Sequence, residues 1–82
     1  LLVCPSTRQP LAMLDARALR AVNEAVATAG VRREDGNLQA EPLTEALVTR
    51  DRKLLYRIDD GIPVLLAEEA MATATIPGFP PA

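Results

Sequence analysis

The chain offers few side chains suited to chemistry. Cys4 is its one thiol, and none of its 82 residues is a histidine. That lack removes the commonest general base, the Ser–His and Cys–His nucleophile pairs and the commonest metal ligand. Arg8 is the one cation near Cys4 in sequence. A thiol-dependent enzyme built on Cys4 would need a buried base that the sequence does not supply, so a bystander thiol, packed or exposed, is the plainer reading. The acid pairs Asp59-Asp60 and Glu68-Glu69 fall at a turn and at the start of a short helix. Asp commonly bonds its own backbone in turns, and acids favour the first helical turn. The glycines at 30, 36, 61 and 78 are isolated, which leaves no phosphate-cradling loop. The expectation is a protein that is not an enzyme and has no cofactor.

Basic residues form two small clusters, Arg32-Arg33 and Arg50, Arg52 and Lys53, diluted by Glu34, Asp35 and Asp51. Net charge is −2, without the basic surplus usual in nucleic-acid binders. These side chains read as solvated loop charges, and nucleic acid is not an expected partner. The alternative is an RNA- or ribosome-associated module, which would require the two clusters to converge on one face without intervening carboxylates.

The elements that must position these residues follow from pattern. Apolar residues make up 49% of the chain and Tyr56 and Phe79 are its aromatics, so the core must be aliphatic. A single cysteine allows no internal disulfide and fits a reducing, cytoplasmic setting. The longest apolar run, 62–67, is far short of the roughly 20 residues that cross a bilayer. Residues 1–14 read as an extended entry broken by Pro5 and Pro10, with 11–14 a short edge strand. Residues 16–29 read as a helix with Asp15 as N-cap and Gly30 just past its end. Its expected apolar stripe is Leu19, Val22, Val26 and Ala29, widened by Ala18 and Ala25, with Arg17, Arg20, Asn23, Glu24 and Thr28 on the wet side. Residues 31–45 contain an Asp35-Gly36 turn signal and are a loop or short hairpin. Strands follow at 46–49 and 54–58 around a polar tip, then at 62–66 after an Asp59-Asp60-Gly61 turn, with Pro63 placing that strand near an edge. Residues 67–72 read as a short helix and 73–82, with Pro77, Gly78, Pro80 and Pro81, as a mobile tail.

The opening Leu1-Leu2-Val3-Cys4-Pro5, followed by Pro10-Leu11, and the later run Leu55-Tyr56-Arg57-Ile58-Asp59-Asp60-Gly61-Ile62-Pro63-Val64-Leu65-Leu66 carry a family resemblance. They resemble the YcaR-like group of short bacterial proteins. That group is similar to the zinc-ribbon half of the eukaryotic and archaeal subunit that activates tRNA, rRNA and release-factor methyltransferases. Zinc-binding members carry a Cys-Pro-x-Cys knuckle and a second Cys-x-x-Cys pair before the tyrosine strand. Here Cys4 is the only remnant ligand: the other positions fall on Thr7 and near Thr49 and Arg52, which are not ordinary zinc ligands. No metal is therefore expected. About 30 extra residues, 15–45, separate the matched segments, and the helix within them is a candidate replacement for the stabilisation that a structural zinc supplies.

The expected fold is α+β: a small antiparallel sheet, degenerate zinc-ribbon-like, with the inserted helix packed on one face. Residues 1–72 would form one domain, with 15–45 a helical insert and 73–82 a flexible Pro-rich tail. The resemblance implies a protein-binding module whose partner is of the methyltransferase class. The expected docking edge is Ile62, Pro63, Val64 and Leu65, reached by strand addition. A monomer is expected in isolation, because acids flank this edge on both sides.

Overall fold

The computed structural model describes residues 2–81. Leu1 of the opening motif and Ala82 of the tail lie outside the described residues. The elements are β1 (Leu11–Met13), α1 (Ala16–Thr28), β2 (Glu45–Thr49), β3 (Leu54–Asp59), β4 (Ile62–Pro63) and β5 (Met71–Ala72), with single 3-10 turns at Ala67–Glu69 and Thr73–Thr75. All strand pairs are antiparallel, in the order β1-β2-β3-β4, and β5 pairs with β3 beside β4. The class is α+β, with the helix packed on one face of the sheet.

Helix α1 starts where its cap demands. The Asp15 carboxylate accepts the Ala18 N–H at 3.2 Å, satisfying a donor that the first helical turn leaves free. It ends at Gly30, whose φ of +80° lets the chain leave while Gly30 N–H bonds Ala25 O at 2.8 Å. The buried face is Ala18, Val22 and Ala25, with Leu19 and Val26 half-buried at its margin and Ala29 exposed. The expected stripe is thus rotated toward the small residues. Alanines at 18 and 25 let the helix axis approach the sheet, and the bulkier Leu19 and Val26 fill the rim. Asn23, expected in water, instead clamps the strand entry: its Nδ2 donates to Leu43 O at 2.9 Å and its Oδ1 accepts Leu43 N–H at 2.7 Å.

Side-chain alternation divides the sheet into two faces. Ala46, Val48 and Leu55 face the helix, together with Leu14, Val31, Leu43, Met71 and Ile76. Leu11, Leu47, Tyr56 and Ile58 face the other way and are covered by Cys4 and Ala70, with Leu54 and Leu65 at the margin. Residues 31–39 form a hairpin, one of the two forms left open for this segment, with an Arg32–Leu38 bridge and Gly36 at φ +88° in its turn. This hairpin lies along β5: Arg33 bridges Met71, Glu34 N–H bonds Ala70 O and Asp35 N–H bonds Glu68 O.

Two expectations change after residue 66. Residues 67–72 are a 3-10 turn and a strand, because Met71 and Ala72 complete the side of β3 that β4 leaves open. The segment expected to be a mobile tail packs onto the molecule. Ile76 is 4% exposed in the helix-side core, Thr73 Oγ1 donates to Arg52 O at 2.6 Å, and Arg52 Nη2 reaches Pro80 O at 3.2 Å. The Arg52 guanidinium stands 5.2 Å over the Phe79 ring. Proline and glycine make this backbone irregular, while the apolar side chains between them hold it down. Among the described residues no helix is long and apolar enough to cross a membrane.

Candidate partner-binding surface

The expected docking residues sit at one corner of the sheet. Asp60 (φ +50°) and Gly61 (φ +76°) form the two-residue turn from β3 to β4, the combination that a type I′ hairpin requires. The turn sets the register Ile58–Pro63 and Asp59–Ile62, and Val64 N–H bonds Arg57 O at 3.0 Å. Pairing alternates along an antiparallel strand, so Pro63 turns its carbonyl to the open side and has no N–H to present there. Ile62 is 68% exposed, Pro63, Val64 and Leu65 are half-buried, and Leu66 is 47% exposed. Leu65 packs against the Tyr56 cluster, so this residue serves the core as well as the edge. Asp59, Asp60 and Glu68 are exposed around the corner. A second apolar margin, absent from the sequence reading, comprises Leu2, Val3 and Met13 at the opposite edge. Its signal was the alternation in 11–14, which places Met13 on the same face as Leu11.

Cys4 lies at the other end of the sheet, fully buried under the 4–9 loop. Its Sγ is 2.9 Å from Tyr56 Oη and 3.3 Å from Ser6 Oγ, and Thr7 N–H points to it at 3.5 Å. Burial pushes the thiol up, and the hydrogen bonds from Ser6, Thr7 and Tyr56 outweigh it, bringing the thiol down to about 6. Burial, and then the bond to Cys4, push Tyr56 up to about 12. The phenol therefore keeps its proton and donates it to the sulfur. A thiol lowered in this way carries thiolate character near neutral pH, but its sulfur is closed off from solvent beneath the loop.

The donor set does not fit a structural zinc. Thr7 and Thr49 present hydroxyls, and Arg52 presents a cation that turns away to Asp15 (3.6 Å), Pro80 and Phe79. Among the described residues no three His, Cys, Asp or Glu side chains converge as a metal site. Of the basic residues, Arg50 and Lys53 are exposed, while others are tied up. Arg33 is held by Gln39 Oε1 at 2.9 Å and Glu69 at 3.4 Å, and Arg57 shares Glu69 at 2.6 Å.

A buried thiol on the tyrosine strand, a loop above it and an Asp-Gly hairpin leading to an edge strand are thus one connected unit. The family model described as Trm112p-like protein matches residues 1–61, about three-quarters of the chain. The chain belongs to the Trm112p-like family. The match ends at Gly61, so it takes in the turn and stops short of Ile62. Relatives include a UPF0434 protein of Rhodopseudomonas palustris (strain TIE-1), 49% identical over 35 residues, which are 43% of this chain and 54% of that protein. Another is a UPF0434 protein of Methylobacterium nodulans, 44% identical over 39 residues, 48% of this chain and 59% of that protein. The chain thus spans little more than half the length of the curated relatives it matches. The solution NMR structure of XF2673 from Xylella fastidiosa is similar throughout: TM-score 0.85 and 54% identity, covering 98% of this chain and 82% of that one. This Trm112p-like chain and XF2673 therefore share the α+β arrangement over nearly the whole of this chain.

Proposed function

We propose that this Trm112p-like protein is a non-catalytic, cytoplasmic binding module that activates or stabilises a methyltransferase-class partner, docking it at Ile62, Pro63, Val64 and Leu65. The observation that carries the reading is the exposed Ile62 on a short edge strand whose outward position is a proline. Such an edge resists pairing with a second copy of itself, because Pro63 cannot donate. It still offers a carbonyl and an apolar side chain to a strand of another protein. The acids around it add like-charge repulsion between copies, consistent with a monomer in isolation. Family membership supports the methyltransferase class, and the burial of Cys4 beneath its loop, out of reach of a substrate, supports a role outside catalysis. The zinc-ribbon relationship with lost ligands belongs to the same reading: Cys4 stands as the remnant of a knuckle whose other positions hold Thr7, Thr49 and Arg52.

The test is affinity capture from host lysate with the native chain and with Ile62→Asp, followed by mass spectrometry. A methyltransferase enriched by the native chain and lost with the variant is the expected result. Equal capture by both chains counts against the edge, and no methyltransferase in either eluate counts against the partner class.

A further inference from the structure

We infer that Gln9 and Asp51 form a hydrogen-bond clasp that does, in this chain, the mechanical work of a metal: it ties the 4–9 loop to the loop between β2 and β3. The two residues are 42 positions apart and bond in both directions. Gln9 Nε2 donates to Asp51 Oδ2 at 3.0 Å, and Gln9 Oε1 accepts the Asp51 N–H at 3.0 Å. The clasp extends to both sides. Gln9 Nε2 also donates to Thr7 Oγ1 at 3.0 Å. Asp51 Oδ1 accepts from Thr49 Oγ1 at 2.8 Å and from Lys53 N–H at 3.0 Å, and Thr49 Oγ1 accepts the Leu54 N–H at 3.1 Å. Thr7 and Thr49, two positions that do not fit a metal, are therefore members of one network that joins the same two loops. A single exposed hydrogen bond exchanges with water at small net gain. Here three donors converge on one carboxylate, and the paired Gln9–Asp51 bonds fix rotation as well as distance, as a two-pronged contact does. Beneath the clasp, the Cys4–Tyr56 bond closes the layer from inside. The inference is independent of any partner at the β4 edge.

The experiment compares melting temperatures of the full chain with zinc and with EDTA. Gln9→Ala should lower Tm by about 4–8 °C, the scale of one lost interaction in a domain this size, and neither chain should respond to zinc or EDTA. Adding Thr7→Cys, Thr49→Cys and Arg52→Cys to Gln9→Ala, with Cys4 native, should create a tetrahedral thiolate site. Cobalt(II) should then give intense thiolate bands in the visible, and zinc should restore the lost Tm until EDTA removes it. Failure of that chain to bind cobalt overturns the geometric equivalence of clasp and metal. A Gln9→Ala Tm indistinguishable from native, or a native Tm lowered by EDTA, overturns the clasp. Should the four-thiol chain not fold, a double-mutant cycle decides: Gln9→Ala and Asp51→Ala combined should melt no lower than the worse single variant, and strictly additive losses overturn the clasp.

Discussion

At its first residues, Leu54 and Leu55, strand β3 lies between β2 and β5, with the packed 73–81 segment and the 4–9 loop closing over that end. At its last residues, Ile58 and Asp59, it meets Glu45 on one side and two residues of β4 on the other, and Ile62 beyond them is left in solvent. One strand thus has a closed end and an open end. The closed end gathers the buried thiol, the buried Thr49 and the side-chain bonds of Gln9, Asp51 and Arg52, while the Asn23–Leu43 clamp and the Arg57–Glu69 ion pair lie toward the other end. The open end has a tight turn, acids and an apolar corner. The difference teaches where order is invested: the chain is cross-linked at the end opposite the corner it leaves free, so the corner can be altered without loosening the core.

The largest test of this division is Leu55→Ala. Leu55 is fully buried at the closed end, and truncation should cost about 2–5 kcal/mol in urea denaturation. A cost near that of a surface change would place the core elsewhere. Next comes Ile76→Ala, expected at about 2–3 kcal/mol, in the lower part of the same range because Ile76 is buried from an irregular segment that can relax around the gap more readily than β3 can. A loss below about 0.5 kcal/mol, the usual surface scale, would mean that 73–81 contributes nothing to the closed end.

Acid should separate the two ends more gently. Thr49 Oγ1 and the Lys53 N–H hold the Asp51 carboxyl below its usual value, and the Ala18 N–H does the same for Asp15. A lowered carboxyl contributes stability above its unfolded pKa of about 3.9, and that contribution is lost as pH falls through the lower folded value. Hydrogen exchange followed downward from pH 5 should therefore show the amides of Ala18, Asp51 and Lys53 losing protection before that of Val64. Simultaneous loss would erase the distinction between the ends. The smallest expected effect is Ile62→Ala, within about 0.5 kcal/mol on stability. A larger cost would make Ile62 a core residue and remove the open corner.

Much of this arrangement was legible in the sequence because it is local. The Asp15 cap, the Gly30 exit, the Asp-Gly turn and the alternation in β2 and β3 each act over a few residues. The helix was legible, and its buried Ala18, Val22 and Ala25 lay within the expected stripe, but the centre of that face was not: periodicity weights the large residues Leu19 and Val26, while close approach to a sheet selects Ala18 and Ala25. The 67–72 segment misled because Glu68-Glu69 suits a helix start, and only the gap beside β3 makes Met71 and Ala72 a strand. Pro77, Gly78, Pro80 and Pro81 signal irregular backbone, which is a different property from looseness. Neither Gln9 nor Asn23 carried any local signal, since the group each clamps lies 42 or 20 residues away. Whether Cys4 is packed or exposed was open in the sequence, because its pairing with Tyr56 requires the register of the folded sheet.

Beyond the paired residues Met13 and Leu47, Leu14 N–H bonds Ala46 O at 2.9 Å, so the long excursion between β1 and β2 leaves and re-enters the sheet through adjacent positions. The entropy of closing such an excursion grows only with the logarithm of its length, about 0.6 kcal/mol for each doubling. The mouth of the insert is therefore a socket. Extra residues could be seated in the insert's exposed turns at little added closure cost, provided that the two strands keep their register and the helix face that covers Ala46, Val48 and Leu55 stays in place.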